Sequence, residues 1–322
     1  MTEPTMRGVR NTEAGLHVVD LPEPDPSLGD TLVRVAACGI CGSDLHMLEW
    51  GPMPFTYGHE ISGRLTDGTP VAIEPVRPCG VCDQCVPGNY HRCRVGLPTM
   101  VGTGSDGGMA TWLRVPERSL VALPDGLGVH NASLVEPMAV SMHGLRLAGV
   151  TAGSSVAVVG AGSIGLTAVA GAKAMGADVS LIARHPAQAD AGRAIGARIV
   201  DPDDRADYDV TVEAAGSASA METAARLASP GATVLVLGVH MTTLPVPGVM
   251  ALMKELSVLS TIMYNRYGEG RRDVDDAAAA LAADPVIART MITHRFPLEQ
   301  AAEAFRVAAD RSSGAIKVVL EP

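Results

Sequence analysis

Between residues 29 and 123 the apolar positions come in short β-branched runs, such as Thr31–Ala37 and Val71–Val76, broken by Gly, Pro and Asp. Runs of that length bounded by turn formers predict an irregular, mostly β domain. The texture changes at Ser154. VAVVGAG is followed by an Ala-rich stretch with helical spacing, then by DVSLIAR, a second helical stretch, RIV, DVTVEAAG, a helix and TVLVLGV. Strand alternating with helix at this spacing predicts βαβ units and a parallel, doubly wound sheet covered on both faces. SVLSTIMYN (257–265) reads as a further strand, and RRDVDDAAAALAAD (271–284) as a helix stopped by Pro285. PLEQAAEAFRVAAD (297–310) reads as a helix and AIKVVLE as a final strand. The change of pattern divides the chain into an α/β domain over 138–285 and a mostly β domain made of 1–137 and 286–322.

With 322 residues, each domain has room for its own hydrophobic core. Only 3% of residues are aromatic, so Ala, Val, Leu, Ile and Met must fill those cores. A net charge of −10 argues against nucleic acid or an anionic membrane as partner, since both call for a basic face. The first twenty residues carry no apolar leader segment, and no run of about 18 apolar residues follows. A cytoplasmic enzyme with a small-molecule substrate is the expectation.

The strand VAVVG runs directly into Gly160-x-Gly162-x-x-Gly165, with a helix expected over Leu166–Met175. The first glycine permits the tight turn, the second lets backbone approach a pyrophosphate, and the third lets helix pack on strand. The phosphates then lie at the positive helix N-terminus. An NAD site ends its second strand with an acid that binds the adenosine ribose. Here that strand ends in Ala183, followed by Arg184 and His185, which leaves a cationic pocket suited to a 2′-phosphate and favours NADP(H) over NAD(H).

Cysteines occupy positions 38, 41, 79, 82, 85 and 93. Cys79-x2-Cys82-x2-Cys85-x7-Cys93 offers four thiolates to a closed tetrahedral zinc, a structural site. An iron–sulfur cluster begins with similar spacing, but the fourth interval does not fit it. A zinc ribbon for nucleic acid conflicts with the acidic charge. A second constellation joins Cys41 in GICGSDLHM, His59 in YGHE and Glu136 in LVEPMAVSMHG. A catalytic zinc needs three such ligands and an open fourth position. Glu60 and Glu136 both qualify as the third. Neighbouring side chains in an extended segment point apart, so His59 and Glu60 reach one metal only where the backbone bends.

Taken together and in this order, CGICGSDLH, YGHE, the four-cysteine segment, EPMAVSMHG and VVGAGSIG resemble the zinc-containing medium-chain dehydrogenase/reductase family over essentially the whole chain, and its polyol and threonine dehydrogenase branch in particular. The resemblance implies a Rossmann domain plus a GroES-like catalytic domain with a structural zinc lobe. It implies that Cys41 and His59 bind the catalytic zinc, that Glu60 is a constant or intermittent ligand, and that Glu136 ligates or holds the zinc water. Ser43 matches the hydroxyl that takes the substrate proton, His46 the relay to solvent, and Asp44 the carboxylate that orients His59. Ser163 and Ile164 within the glycine turn, then Ala214, Ala215 and Gly216, Leu237, Gly238 and Val239, and Ile262, Met263 and Tyr264 fall where the family contacts its cofactor. The segment from Leu48 to Tyr57 is short for the family, which points to an open substrate pocket.

The implied reaction is Lewis-acid hydride transfer between a secondary alcohol or polyol, or its ketone, and NADP(H), using one catalytic and one structural Zn2+. An NAD-linked sugar, amino-alcohol or threonine-type dehydrogenase is the variant within the class. A zinc-free reductase of the same fold is opposed by Cys41, His59 and the cysteine segment. A non-catalytic dinucleotide sensor is opposed by an intact proton path. The apolar SVLSTIMY strand suggests a homodimer or homotetramer through edge pairing.

Overall fold

A computed structural model describes residues 5–25, 30–96, 98–203, 207–310 and 312–322. The chain separates into two compact units. The first runs up to Glu136 and takes in Asn265–Ala288 and Ile292–Pro322; the second is Pro137–Tyr264 with Arg289–Met291. The return to the first unit therefore comes at Asn265 and not near 286. Asn265 and Asp273 exchange hydrogen bonds, Asn265 N–H to the Asp273 carboxylate at 2.8 Å and Asp273 N–H to the Asn265 carbonyl at 3.0 Å. They close the turn that leads into the helix Asp273–Ala283, whose Val274, Ala277 and Leu281 are buried.

The first unit is built on a seven-stranded sheet. Its order is Ile292–Pro297, Lys317–Glu321, Thr31–Gly39, Glu60–Leu65, Pro70–Ile73 and Leu120–Ala122, with Trp112–Val115 also paired to Thr31–Gly39. A hairpin of Thr5–Thr12 with Gly15–Pro22 accompanies it. Val33, Val35, Ile61, Ile73, Leu113 and Leu320 fill the core, each burial stabilising by roughly 1.5–3 kcal/mol.

The second unit holds a six-stranded, all-parallel sheet ordered Arg198–Ile199, Asp178–Ile182, Ser155–Val159, Tyr208–Glu213, Ala228–Val236 and Ser257–Ser260. Counted in chain order this is 3-2-1-4-5-6, the Rossmann order. The carboxyl end of the first strand is the point where strand order reverses, and ligands of such sheets bind there.

Boundaries differ in detail. The strand expected over 257–265 stops at Ser260, because Met263 takes a left-handed backbone (φ 56) that no strand continues through. The expected helix 297–310 opens with a 3-10 turn, Leu298–Gln300, before Ala301–Ala309. Pro285 ends one helix and begins another, Pro285–Met291, since a proline at the first helical position gives up no hydrogen bond. Among the described residues no helix is long and apolar enough to cross a membrane.

Candidate active site

In the first unit, Cys41 closes the N-terminus of the helix Gly42–Glu49, and its backbone N–H donates to Asp44 Oδ2 at 2.8 Å. That reach-back from the third helical position fixes the turn carrying the thiol. His59 lies just before the strand Glu60–Leu65, after Gly58 at φ 95. This is the bend that lets adjacent residues serve one centre: His59 precedes the strand, so strand alternation does not separate it from Glu60. Ligand atoms of Cys41, His59 and Glu60 all lie within 4.8 Å of one another. Glu136, in the first turn of the helix Val135–Leu147, is buried nearby and outside that trio.

The charges here are deeply buried. Asp44 Oδ1 stands 3.7 Å from His59 Nδ1, and neither atom has a hydrogen bond among the described residues. Burial pushes the Asp44 carboxyl up to about 6, against the pull of His59. Burial opposes charge on His59, yet Asp44, Cys41 and Glu136 prevail and hold its ring well above the usual imidazole value. Burial likewise lifts Glu136 to about 7 despite His59. Such a clustering of acids, with Glu60 Oε2 unbonded, is what a site for a cation requires. Gly39 faces Glu60 across the sheet, and a Cβ there would fall 2.0 Å from Glu60 Oε2; the missing side chain makes room for the carboxylate.

Sequence reasoning missed Lys317. Its ammonium, 2% exposed, donates to Glu60 Oε1 at 2.6 Å and to the Ile40 carbonyl at 3.1 Å. A lysine inside the apolar run AIKVVLE was the available signal, since an unpaired lysine does not stay in a buried strand. Ser43 Oγ is buried and unbonded among the described residues, and His46 follows one helical turn later.

All six cysteines are free thiols. The sulfurs of Cys79, Cys82, Cys85 and Cys93 lie within 4.8 Å of one another. Cys93 Sγ accepts backbone N–H groups of Cys79 and Gly96 at 3.3 Å each. Burial works against its charge, but these amides win and lower the thiol to about 6, which suits a thiolate ligand. Cys38 belongs to neither cluster; burial raises its thiol well above the ordinary value.

In the second unit the three glycines behave as their spacing demands. Gly160 has φ 108; a Cβ on Gly165 would fall 1.8 Å from the Gly160 carbonyl; around Gly162 nothing stands within 4 Å, so backbone there is open to a ligand. Ser163 begins the helix Ser163–Ala174, its hydroxyl buried and unbonded among the described residues; Ile164 follows in that first turn. Ala183, Arg184 and His185 follow the strand Asp178–Ile182, and Arg184 donates to Ser219 Oγ at 3.0 Å. Ala215 and Gly216 follow the strand ending at Glu213, while Leu237, Gly238 and Val239 follow the strand ending at Val236. Ile262 is exposed, and Met263 and Tyr264 are buried. Glu213, also missed, is buried among these loops.

Residues 27–125 match the family model described as alcohol dehydrogenase GroES-like domain, and residues 163–283 that of zinc-binding dehydrogenase. The sorbitol dehydrogenase of Bacillus subtilis is 28% identical over 95% of this chain and 94% of its own. The D-xylulose reductase A assigned in Aspergillus fumigatus is 31% identical over 91% of both chains. A zinc-binding dehydrogenase from Sinorhizobium meliloti, solved with NADP, superposes with a TM-score of 0.87 at 30% identity, covering 99% of this chain and 100% of that one. The 2R,3R-butanediol dehydrogenase of Bacillus subtilis does so at 0.85 and 25%, covering 98% and 99%. The chain belongs to the zinc-containing medium-chain dehydrogenase/reductase family, close to its polyol dehydrogenases.

Proposed function

We propose that the chain transfers a hydride between a secondary alcohol or polyol, or the corresponding ketone, and NADP(H). The observation that carries this is the convergence of Cys41, His59 and Glu60 ligand atoms within 4.8 Å, two residues along the chain from a buried, unbonded serine hydroxyl.

Cys41, His59 and Glu60 hold a zinc ion, which when bound supplies Lewis-acid polarisation of the substrate oxygen. Asp44 faces His59 Nδ1 at 3.7 Å and would favour one orientation of the ring toward the ion. Ser43 Oγ takes the substrate proton, and His46 on the same helix face carries it to solvent. Glu136, buried outside that trio, would ligate the ion or hold its water. Cys79, Cys82, Cys85 and Cys93 hold a second, structural zinc that braces their loop.

Gly160, Gly162, Ser163, Ile164 and Gly165 receive the pyrophosphate. Ala215, Gly216, Leu237, Gly238, Val239, Ile262, Met263 and Tyr264 line the rest of the nucleotide. Ala183 puts no acid against a 2′-phosphate, and Arg184, steadied by Ser219, meets it together with His185. The NADP in the Sinorhizobium meliloti structure supports this preference. The names of the relatives, sorbitol dehydrogenase and D-xylulose reductase, favour polyols and keto sugars as substrates. A cytoplasmic homodimer or homotetramer fits the edge strand Ser257–Ser260, with Val258 and Ile262 exposed, as are Val249, Leu252 and Met253.

The test is a screen of alcohols and ketones with both nucleotides, read by absorbance of the reduced nicotinamide, alongside metal analysis. Two zincs per chain, and turnover lost in Cys41→Ser with nucleotide binding kept, are expected; full activity in that variant refutes the metal site. Arg184→Ala should raise KM for NADP(H) far more than for NAD(H), and equal changes refute the phosphate pocket.

A further inference from the structure

Glu213 ends the fourth strand of the parallel sheet with a fully buried carboxylate. Its Oε1 accepts backbone N–H groups of Ala215 at 2.9 Å, Gly216 at 2.7 Å and Ser217 at 3.5 Å. Its Oε2 lies 3.1 Å from His240 Nε2, and His240 is itself 9% exposed. The main-chain carbonyl of the same residue accepts Leu237 N–H at 2.8 Å and Gly238 N–H at 2.9 Å. One residue thus holds two loops, one after the fourth strand and one after the fifth. The loops touch directly: a Cβ on Gly216 would fall 2.5 Å from the Val239 carbonyl, and one on Gly238 would fall 2.4 Å from Glu213 Oε2.

A carboxylate removed from water is destabilising unless every lone pair is met, and a strand end needs no such group to terminate. The placement points to the ligand. Both loops leave carboxyl ends of strands, where a Rossmann sheet binds its nucleotide. Ala215 packs on Gly160 of the glycine turn. From the same loop, Ser217 caps the helix Ala218–Leu227, whose Ser219 receives Arg184. A continuous set of contacts therefore runs from Arg184 through Ser219, Ser217 and Glu213 to His240.

We infer that Glu213, fastened by His240, is a positioning residue that locks the 214–217 and 237–240 loops together as one cofactor-binding surface, so that either nucleotide is held by both loops or by neither. This rests on the proposed nucleotide site. Glutamine at 213 keeps the main-chain bonds to Leu237 and Gly238 but removes the charge: its one amide oxygen is a weaker acceptor for the three backbone N–H groups, and its amide nitrogen meets His240 only if the ring turns from donor to acceptor at Nε2, so the side-chain tie between the loops is weakened.

Isothermal titration of the zinc-loaded protein with NADPH and NADH tests it. Glu213→Gln should weaken both nucleotides roughly tenfold, unlike Arg184→Ala, which discriminates between them. His240→Ala should weaken both several-fold, and His240→Gln, which keeps an N–H donor, should restore binding. KM for nucleotide should rise with kcat at saturating nucleotide and zinc content unchanged. Wild-type binding constants in both Glu213→Gln and His240→Ala overturn the inference alone, even if melting temperature falls. Failure of the unsubstituted chain to bind either nucleotide overturns the proposed function, and this inference with it.

Discussion

Lys317→Met keeps most of the side-chain volume and removes the ammonium that meets Glu60 at 2.6 Å, in a pair 2% and 1% exposed. At an effective dielectric constant of ~20, the attraction over that distance is about 6 kcal/mol, most of it offset by desolvation of the two charges. Removing one partner leaves the other charge buried, so the metal-free catalytic site should lose ~3–5 kcal/mol of stability. Zinc changes the outcome: a dication beside Glu60 replaces the lost ammonium, and the loss should shrink by about 2 kcal/mol, equivalent to roughly thirtyfold tighter zinc binding by the variant. Both tryptophans, Trp50 and Trp112, belong to the first unit, so urea unfolding followed by their fluorescence reports on that unit. The measurement compares protein carrying lobe zinc alone with fully loaded protein, and competition with a chelating dye gives the affinity directly. A double-mutant cycle with Glu60→Gln isolates the pair. Equal losses with and without catalytic zinc, or a coupling energy below about 0.5 kcal/mol, would refute the reasoning.

Gly39→Ala should displace the Glu60 carboxylate, whose Oε2 would sit 2.0 Å from the new methyl, and lower zinc occupancy while the protein stays folded; unchanged metal content sinks that assignment. In metal-free protein Glu136 keeps its proton up to about 7, whereas the unfolded chain releases it in the ordinary carboxylate range near 4.5. The folded state binds more protons within that window, so stability should fall as pH rises through it, by about 3 kcal/mol in full. Glu136→Gln should make the slope seen in urea midpoints shallower, leaving the shares of Asp44 and His59, whose values are also raised, and a slope unchanged by the substitution contradicts the assignment. Val258→Lys, placing a charge on the exposed edge strand Ser257–Ser260, should convert a dimer to monomer in light scattering. A monomeric unsubstituted chain, or a dimer untouched by the lysine, excludes that edge as the interface.

Periodicity made the sheet legible, because strand and helix repeat with different periods and the glycines of 160–165 sit at a junction between them. The cysteine spacing made the lobe legible for a similar reason, as all four converging sulfurs come from one short segment. What stayed hidden depends on backbone turns and on contacts distant in sequence. Residues 261–265 carry strand-like side chains, yet Met263 at φ 56 breaks the strand, and no residue type announces that. The turn at Asn265, where the chain returns, is closed by its exchange with Asp273, two polar residues that a hydrophobic pattern passes over. His59 and Glu60 serve one centre because Gly58 turns the chain, and only the glycine hinted at it.

Lys317 and Glu213 expose the limit of pattern reading from the other side. Each interrupts or ends an apolar strand, where binary patterning treats a charge as noise. Desolvation makes that treatment wrong: a charge kept in a buried sheet must have partners, and those partners are chemically specific. Lys317 finds a carboxylate within the metal-ligand cluster. Glu213 finds the amides of one nucleotide-side loop and the imidazole of another. In both units, then, the charged residue that a strand pattern cannot accommodate is the one that connects the sheet to its candidate site. A buried strand-embedded charge in this chain is therefore better read as the back of a site than as an error in the strand.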